Sequence, residues 1–170
     1  VIENVLIGYQ SKLKQSIWDG LTNNHTKRKG ECEANKKAEQ MLNDVNMLRL
    51  RNELCTNLPY GKQKTLEIAR ALMSEPELLF LDEPAAGLNP SETKELSLFI
   101  RNLANTGITV VLIEHDLRLV MGISDYIYVI DHGLKIAEGI PSEVQKNDSV
   151  IAAYIGRKGV AQSAAFSKEP

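Results

Sequence analysis

Apolar positions at helical spacing open the chain: Val5, Leu6, Tyr9 and Leu13 recur every three or four residues, the period of one helix face. Residues 20–31 break that pattern. Gly20, Asn23, Asn24 and Gly30 surround the basic run Lys27-Arg28-Lys29, so a solvated loop is expected there. A second helix is predicted over about residues 32–50, with Ala34, Ala38, Met41, Leu42, Val45 and Leu48 on its buried face. Met41 and Met47 fit core or partner packing. A short loop over 56–61 follows. A third helix is then predicted over about 62–74, burying Leu66, Ala69, Leu72 and Met73 and closed by Pro76.

Beyond Pro76 the period changes. Residues 78–81 form a continuous apolar run, as expected of a strand buried on both faces. Asn89-Pro90-Ser91-Glu92 combines an N-cap, a proline at the first helical position and a capping-box glutamate. It predicts a helix to Asn105, ended by Gly107. Residues 108–113 read as a second buried strand, and Asp116 caps a short helix with Gly122 near its end. Residues 126–130 and 134–137 are strand-like and joined by Asp131-His132-Gly133 as a hairpin. Two short helices near 141–146 and 149–155 precede a small, polar tail from Gly156, expected to be disordered.

Strands alternating with helices imply an α/β fold with a parallel sheet core and a C-terminal hairpin. The helices before residue 57 have no strands between them and are expected to form a separate helical lobe.

Composition narrows the classes. A length of 170 residues fits one domain or most of one. The chain is 43% hydrophobic and 25% charged, enough apolar matter for a core. A net charge of −2 without a dominant basic stripe argues against a nucleic-acid partner. Cys32 and Cys55 have neither metal-ligand nor redox spacing and read as reduced thiols. No apolar run is long enough to span a bilayer and no signal peptide is recognisable, so any membrane role is expected to be peripheral. The opening V-I-E-N-V-L-I, without an initial Met, reads as the interior of a longer chain.

The candidate chemistry lies where the first apolar strand ends in Asp82 and Glu83. Ligands of parallel sheets bind beyond the carboxyl ends of the strands. Hydrolysis of a nucleoside triphosphate needs positioned Mg²⁺, an oriented water and neutralised phosphate charge. Asp82 is suited to the metal, directly or through a water. Glu83 is suited to take a proton from the attacking water. His115, leaving the second strand, is suited to the terminal phosphate or the water. Singly, a D-E pair is usually a charged turn and a lone His is usually structural. Their order and spacing set them apart.

L-P-Y-G-K at 58–62, E-I-A-R-A-L at 67–72, L-L-F-L-D-E-P at 78–84, A-G-L-N at 86–89 and I-E-H-D at 113–116 together resemble the distal half of an ABC-type ATPase. They look like its signature loop, its Walker B strand with the following glutamate, its D-loop and its switch histidine. The resemblance extends to about Gly156. The long helical insertion, L-P-Y-G, D-E-P-A-A-G-L-N-P and L-I-E-H-D-L-R-L-V-M-G-I-S-D are similar to the ATP-binding subunits of branched-chain amino acid importers. ATPases of urea or other amide importers are close relatives.

The resemblance implies an incomplete P-loop NTPase domain that uses ATP and Mg²⁺. Residues 1–57 would be a permease-facing helical subdomain, 58–156 the distal ATPase core and 157–170 a tail. Glu83 and His115 would be catalytic and Asp82 would hold Mg²⁺, through water. Leu58, Pro59, Tyr60, Gly61 and Lys62 would contact nucleotide in trans, with Gly87, Leu88 and Asn89 as the D-loop. Gly61 and Lys62 precede a predicted helix, whose free N–H groups and dipole favour phosphate. Implied partners are a second ABC ATPase subunit, the same or different, membrane permease subunits and, indirectly, a periplasmic or extracellular solute-binding protein. The implied location is the cytoplasmic face of the plasma (inner) membrane.

Two departures matter. The common signature is L-S-G-G-Q, whereas this chain has Pro59, Tyr60 and Lys62 at the second, third and fifth positions. The serine hydroxyl donor is therefore missing, and Lys62 adds a positive charge. Second, a phosphate-cradling G-x-x-x-x-G-K-[ST] is absent from the 170 residues: the one Gly-Lys pair, Gly61-Lys62, is followed by Gln63. The Q-loop and an adenine-stacking aromatic are missing too. The expectation is a fragment that alone binds ATP poorly and hydrolyses it negligibly. The alternative is a short non-catalytic protein that offers its 58–62 loop to a complete partner's ATP. A soluble ABC ATPase of DNA repair or translation would be expected to carry long coiled coils or a second cassette, and neither is seen.

Overall fold

The computed structural model describes residues 1–9 and 24–158. The chain divides into two compact units, Val1–Ile113 and Glu114–Pro170.

The first unit contains α1 (Ile2–Tyr9), α2 (Asn24–Asp44), 3-10 turns at Leu48–Leu50 and Cys55–Asn57, α3 (Tyr60–Leu72), β1 (Leu78–Asp82), α4 (Pro90–Asn105) and β2 (Thr109–Ile113). Its helical core joins Val5 and Tyr9 of α1 to Ala34, Ala38 and Leu42 of α2 and to Leu66 and Ala69 of α3, with Val45, Met47, Leu58 and Met73 between them. The helical lobe expected to end at residue 57 thus shares one core with the helix that follows. Gly8 lets α1 approach α3 closely, because a Cβ there would lie 1.8 Å from the Arg70 carbonyl oxygen.

Helix α2 starts at Asn24, so Lys27, Arg28 and Lys29 are helical and not in the expected loop. Lys, Arg, Glu and Ala are good helix formers, and one Gly costs only about 1 kcal/mol against Ala. The expectations for residues 10–23, including Leu13, Gly20 and Asn23, lie outside the described residues. At its other end α2 stops at Asp44 and does not reach residue 50. Asn46 turns left-handed (φ 55°) and the Met47 N–H reaches back to Leu42 O at 2.7 Å, a Schellman-type stop that Asn tolerates. Ala34, Ala38, Leu42 and Val45 are buried as expected, and Met47 replaces the half-buried Met41 and Leu48 in the core. Helix α3 begins and ends two residues earlier than predicted, its exit set by left-handed Glu75 (φ 52°). Leu66, Ala69, Leu72 and Met73 are buried as read, together with Ile68.

Strands β1 and β2 are parallel, in register from Leu78↔Thr109 to Asp82↔Ile113. The expectation of burial on both faces fails. Leu79 and Leu81 are 6% and 8% exposed, but Leu78 and Phe80 on the opposite face are 47% and 65% exposed. Alternate residues point to opposite faces, and α-helical packing within the unit covers one of them. Helix α4 has the predicted start: Asn89 Oδ1 accepts from the N–H of Ser91 and Glu92, and Glu92 Oε2 accepts from the Asn89 N–H, all at 3.0 Å. Leu96 and Ile100 form its buried side.

The second unit contains α5 (Leu117–Ile123), β3 (Ile127–Asp131), β4 (Leu134–Gly139), α6 (Pro141–Val144) and α7 (Asp148–Lys158). Asp116 Oδ1 caps α5 through the Arg118 and Leu119 N–H groups. β3 and β4 pair antiparallel around His132 (φ 46°) and Gly133 (φ 79°), the left-handed pair a two-residue hairpin turn requires. Ile127, Val144 and Val150 centre a small core. Helix α7 runs to Lys158, so Gly156 and Arg157 are helical and not part of a tail. Residues 159–170 lie outside the described residues.

Candidate functional site

β1 buries Leu79 and Leu81 and delivers Asp82 to its carboxyl end, opposite Ile113 of β2. The backbone then reverses. The Glu83 N–H donates to Ile113 O at 2.9 Å, and Glu83 O accepts from the Ala86 N–H at 3.1 Å. Glu83 itself is left-handed (φ 43°), a conformation costing a non-glycine residue about 1–3 kcal/mol. Both carboxylates lie on exposed residues while Pro84 behind them is buried. The turn continues through the Leu88 N–H to Ala85 O at 3.2 Å and Gly87 at φ 79°, and then enters the Asn89 cap of α4.

The 58–62 segment adjoins that turn. Leu58 is buried in the helical core and Pro59, in extended conformation, is the N-cap of α3. Tyr60, Gly61 and Lys62 do not precede the helix, as expected from sequence, but form its first turn. The Lys62 and Gln63 N–H groups reach Pro59 O at 2.9 and 3.1 Å, and Gln63 Nε2 donates to Leu58 O at 2.8 Å. Pro59 makes no side-chain cap, and no acidic residue stands in the first turn. A helix N-terminus favours negative charge; Lys62 adds to that field, and the Glu92 carboxylate that lies against Gly61 opposes it.

Two close approaches set this turn against residues 87–92. A Cβ on Gly87 would come within 3.1 Å of Tyr60 Cε1, and one on Gly61 within 2.9 Å of Glu92 Oε1. Lys64 Nζ stands 5.6 Å from the centre of the Tyr60 ring. The first unit therefore brings together Asp82, Glu83, residues 58–62 and residues 87–89. Sequence reasoning found Glu92 as a cap but missed that it also covers Gly61, and it missed Lys64. The Glu92 contact has no local sequence signal, whereas Lys64 follows Tyr60 at the i,i+4 spacing that places two helical side chains together.

His115 belongs to the second unit, two residues past the end of β2. Its side chain is 71% exposed, and Nδ1 lies 3.9 Å from Glu114 Oε2. The neighbouring Asp116 cap fixes the backbone that carries it.

Among the described residues no group of three or more His, Cys, Asp and Glu side chains is placed to hold a metal. Asp82 offers one exposed carboxylate. That fits Mg²⁺, which keeps several waters and takes only one or two protein carboxylates. The described residues do not form a cradle for a triphosphate. No helix among them is long and apolar enough to cross a membrane.

Comparison with known proteins bears on the family of the chain. Residues 4–86 match the ABC transporter family, and residues 135–159 match the branched-chain amino acid ATP-binding cassette transporter family. The high-affinity branched-chain amino acid transport ATP-binding protein LivG of Salmonella typhimurium is 47% identical over 157 residues, covering 92% of this chain and 62% of LivG. LivG of Escherichia coli K12 is 46% identical with the same coverage. A crystal structure of an ATP-binding cassette of an ABC transporter, in its ADP conformation, matches with a TM-score of 0.74 at 30% identity, over 91% of this chain and 62% of that one. The chain thus spans somewhat less than two thirds of the length of the relatives it matches.

Proposed function

The chain belongs to the ABC transporter ATP-binding family, and from that premise we propose that it is the distal part of the ATPase subunit of a branched-chain amino acid importer. The observation that carries this reading is the Asp82-Glu83 pair at the carboxyl end of β1, within a chain 47% identical to LivG over 92% of its length. ATP with Mg²⁺ supplies the phosphoryl bond whose hydrolysis drives transport. Asp82 would be the residue of this chain that holds the Mg²⁺, which would neutralise phosphate charge. Glu83, fixed by its left-handed turn, accepts the proton of the attacking water. His115 orients that water or the terminal phosphate. Residues 58–62 present the α3 N-terminus, with Lys62, to nucleotide held by a second ATPase subunit, and Gly87, Leu88 and Asn89 line the same junction. Lys62 brings a positive charge to a loop that has neither the serine nor the first glycine of the common signature, and so offsets part of their absence.

The phosphate cradle is not among these 170 residues, so the polypeptide by itself binds ATP poorly and turns it over negligibly. The complete subunit works against membrane permease subunits at the cytoplasmic face of the membrane, and residues 1–57 form the contact surface. A solute-binding protein delivers the amino acid to the permease.

Joining this chain to the part of E. coli LivG that it does not match provides the test. In cells lacking LivG, the joined subunit should restore uptake of leucine, isoleucine and valine, and Glu83→Gln should abolish it. A joined subunit that is folded and hydrolyses ATP but restores no leucine uptake would count against the branched-chain amino acid reading.

A further inference from the structure

The Tyr60 ring is the element that joins the two loops of the candidate site. It covers the one face of Gly87 where a Cβ would fall 3.1 Å from Cε1, and Lys64 stands over the ring from its own helix. Gly87 sits at φ 79° in the run of turns that starts at Glu83, through Glu83 O to the Ala86 N–H and Ala85 O to the Leu88 N–H. One residue further along α3, Gly61 abuts Glu92, which closes the cap on Asn89. The first turn of α3 and the Glu83 turn are therefore connected by packing at two points, and Tyr60 supplies the larger.

We propose that Tyr60 is a positioning residue: its ring on Gly87 fixes the Glu83 turn to the first turn of α3, so that displacement of the phosphate-facing loop displaces the catalytic turn. The proposal deepens the functional reading above and rests on it for the word catalytic. The contact itself does not depend on that reading. Three features of the site fit such a role. The Glu83 backbone is strained, and strained turns persist only when their surroundings hold them. Glycine at 87 allows the approach and the positive φ at once. Tyr60 is 48% exposed and lies outside the helical core, so removing its ring leaves the buried core of α1, α2 and α3 intact.

Amide hydrogen exchange on the 170-residue chain reads the coupling directly. Tyr60→Ala should speed exchange at Ala86 and Leu88 by about fivefold to tenfold, as expected when a half-buried aromatic ring is removed. The β1 amides that pair with β2 should be unchanged, which separates the local effect from unfolding. Tyr60→Phe should match the parent, because the ring and not the hydroxyl makes the contact. Unchanged exchange at Ala86 and Leu88 in Tyr60→Ala overturns the proposal, as does a Tyr60→Phe variant that behaves like Tyr60→Ala. In the complete subunit, Tyr60→Ala should lower kcat severalfold, and Tyr60→Phe should restore it. An effect confined to KM contradicts a positioning role. If Glu83→Gln keeps full turnover, the functional reading fails, while the exchange data still decide whether Tyr60 couples the two turns.

Discussion

Gly8→Ala is a single-atom perturbation whose sign separates tertiary packing from helix propensity. Gly8 lies in α1, where it faces the end of α3. A Cβ would sit 1.8 Å from the Arg70 carbonyl oxygen and 3.0 Å from Met73 Cβ. Ordinary carbon–oxygen contact is about 3.3 Å, so the two helices must part by on the order of 1.5 Å. Gaps of about 0.5–1 Å already forfeit a quarter to a half of the dispersion well. The affected core includes Val5, 0% exposed, and Tyr9, 8% exposed. Re-exposing on the order of 100 Å² of apolar surface costs about 2.5 kcal/mol at roughly 25 cal/mol/Å². Alanine's helix propensity offsets about 1 kcal/mol of that. The net expectation is destabilisation by about 1–3 kcal/mol, the usual range for overpacking. Urea denaturation of the 170-residue chain, followed by far-UV circular dichroism, measures it. A variant as stable as the parent, or more stable, would show that propensity dominates and that the close approach of α1 to α3 is wrong.

Asn89→Ala removes an acceptor from two N–H groups and should lower the stability of the first unit by about 1 kcal/mol in the same denaturation assay. Gly122→Ala lies in α5, where a Cβ meets nothing within 4 Å; thermal unfolding should show it neutral or stabilising by up to about 1 kcal/mol. Lys37 is held above its ordinary pKa of 10.5, chiefly by its hydrogen bond to Glu75. The folded value is the raised one, so the contribution of this pair is full below the ordinary lysine value and disappears as pH rises through the folded value. The stability difference between the parent and Lys37→Ala should therefore be small, vanish above that range, and shrink in about 1 M salt because the pair is exposed.

What could be read from sequence was local. Asn89, Pro90 and Glu92 carry the start of α4 within four residues, and the Asp131-His132-Gly133 turn carries the hairpin. Asp82, Glu83, Gly87 and Asn89 were legible as a group because the chemistry and the turn that presents it are consecutive. The stops at Asn46 and Glu75 were not legible, because a left-handed residue other than glycine is chosen by its surroundings. The exposure of Leu78 and Phe80 was hidden for a different reason. A continuous apolar run has the same appearance whether one face or two are covered, so period alone cannot decide. The Tyr60–Gly87 and Gly61–Glu92 contacts join segments about thirty residues apart and leave no mark in either one.

The role given to Glu83 is the central claim, and phosphate release from the joined subunit tests it most directly. With Glu83 as general base, Glu83→Gln should lower steady-state ATP turnover by about 10²–10⁴-fold while the protein stays folded. Turnover within about twofold of the parent would contradict the assignment of water activation to this residue.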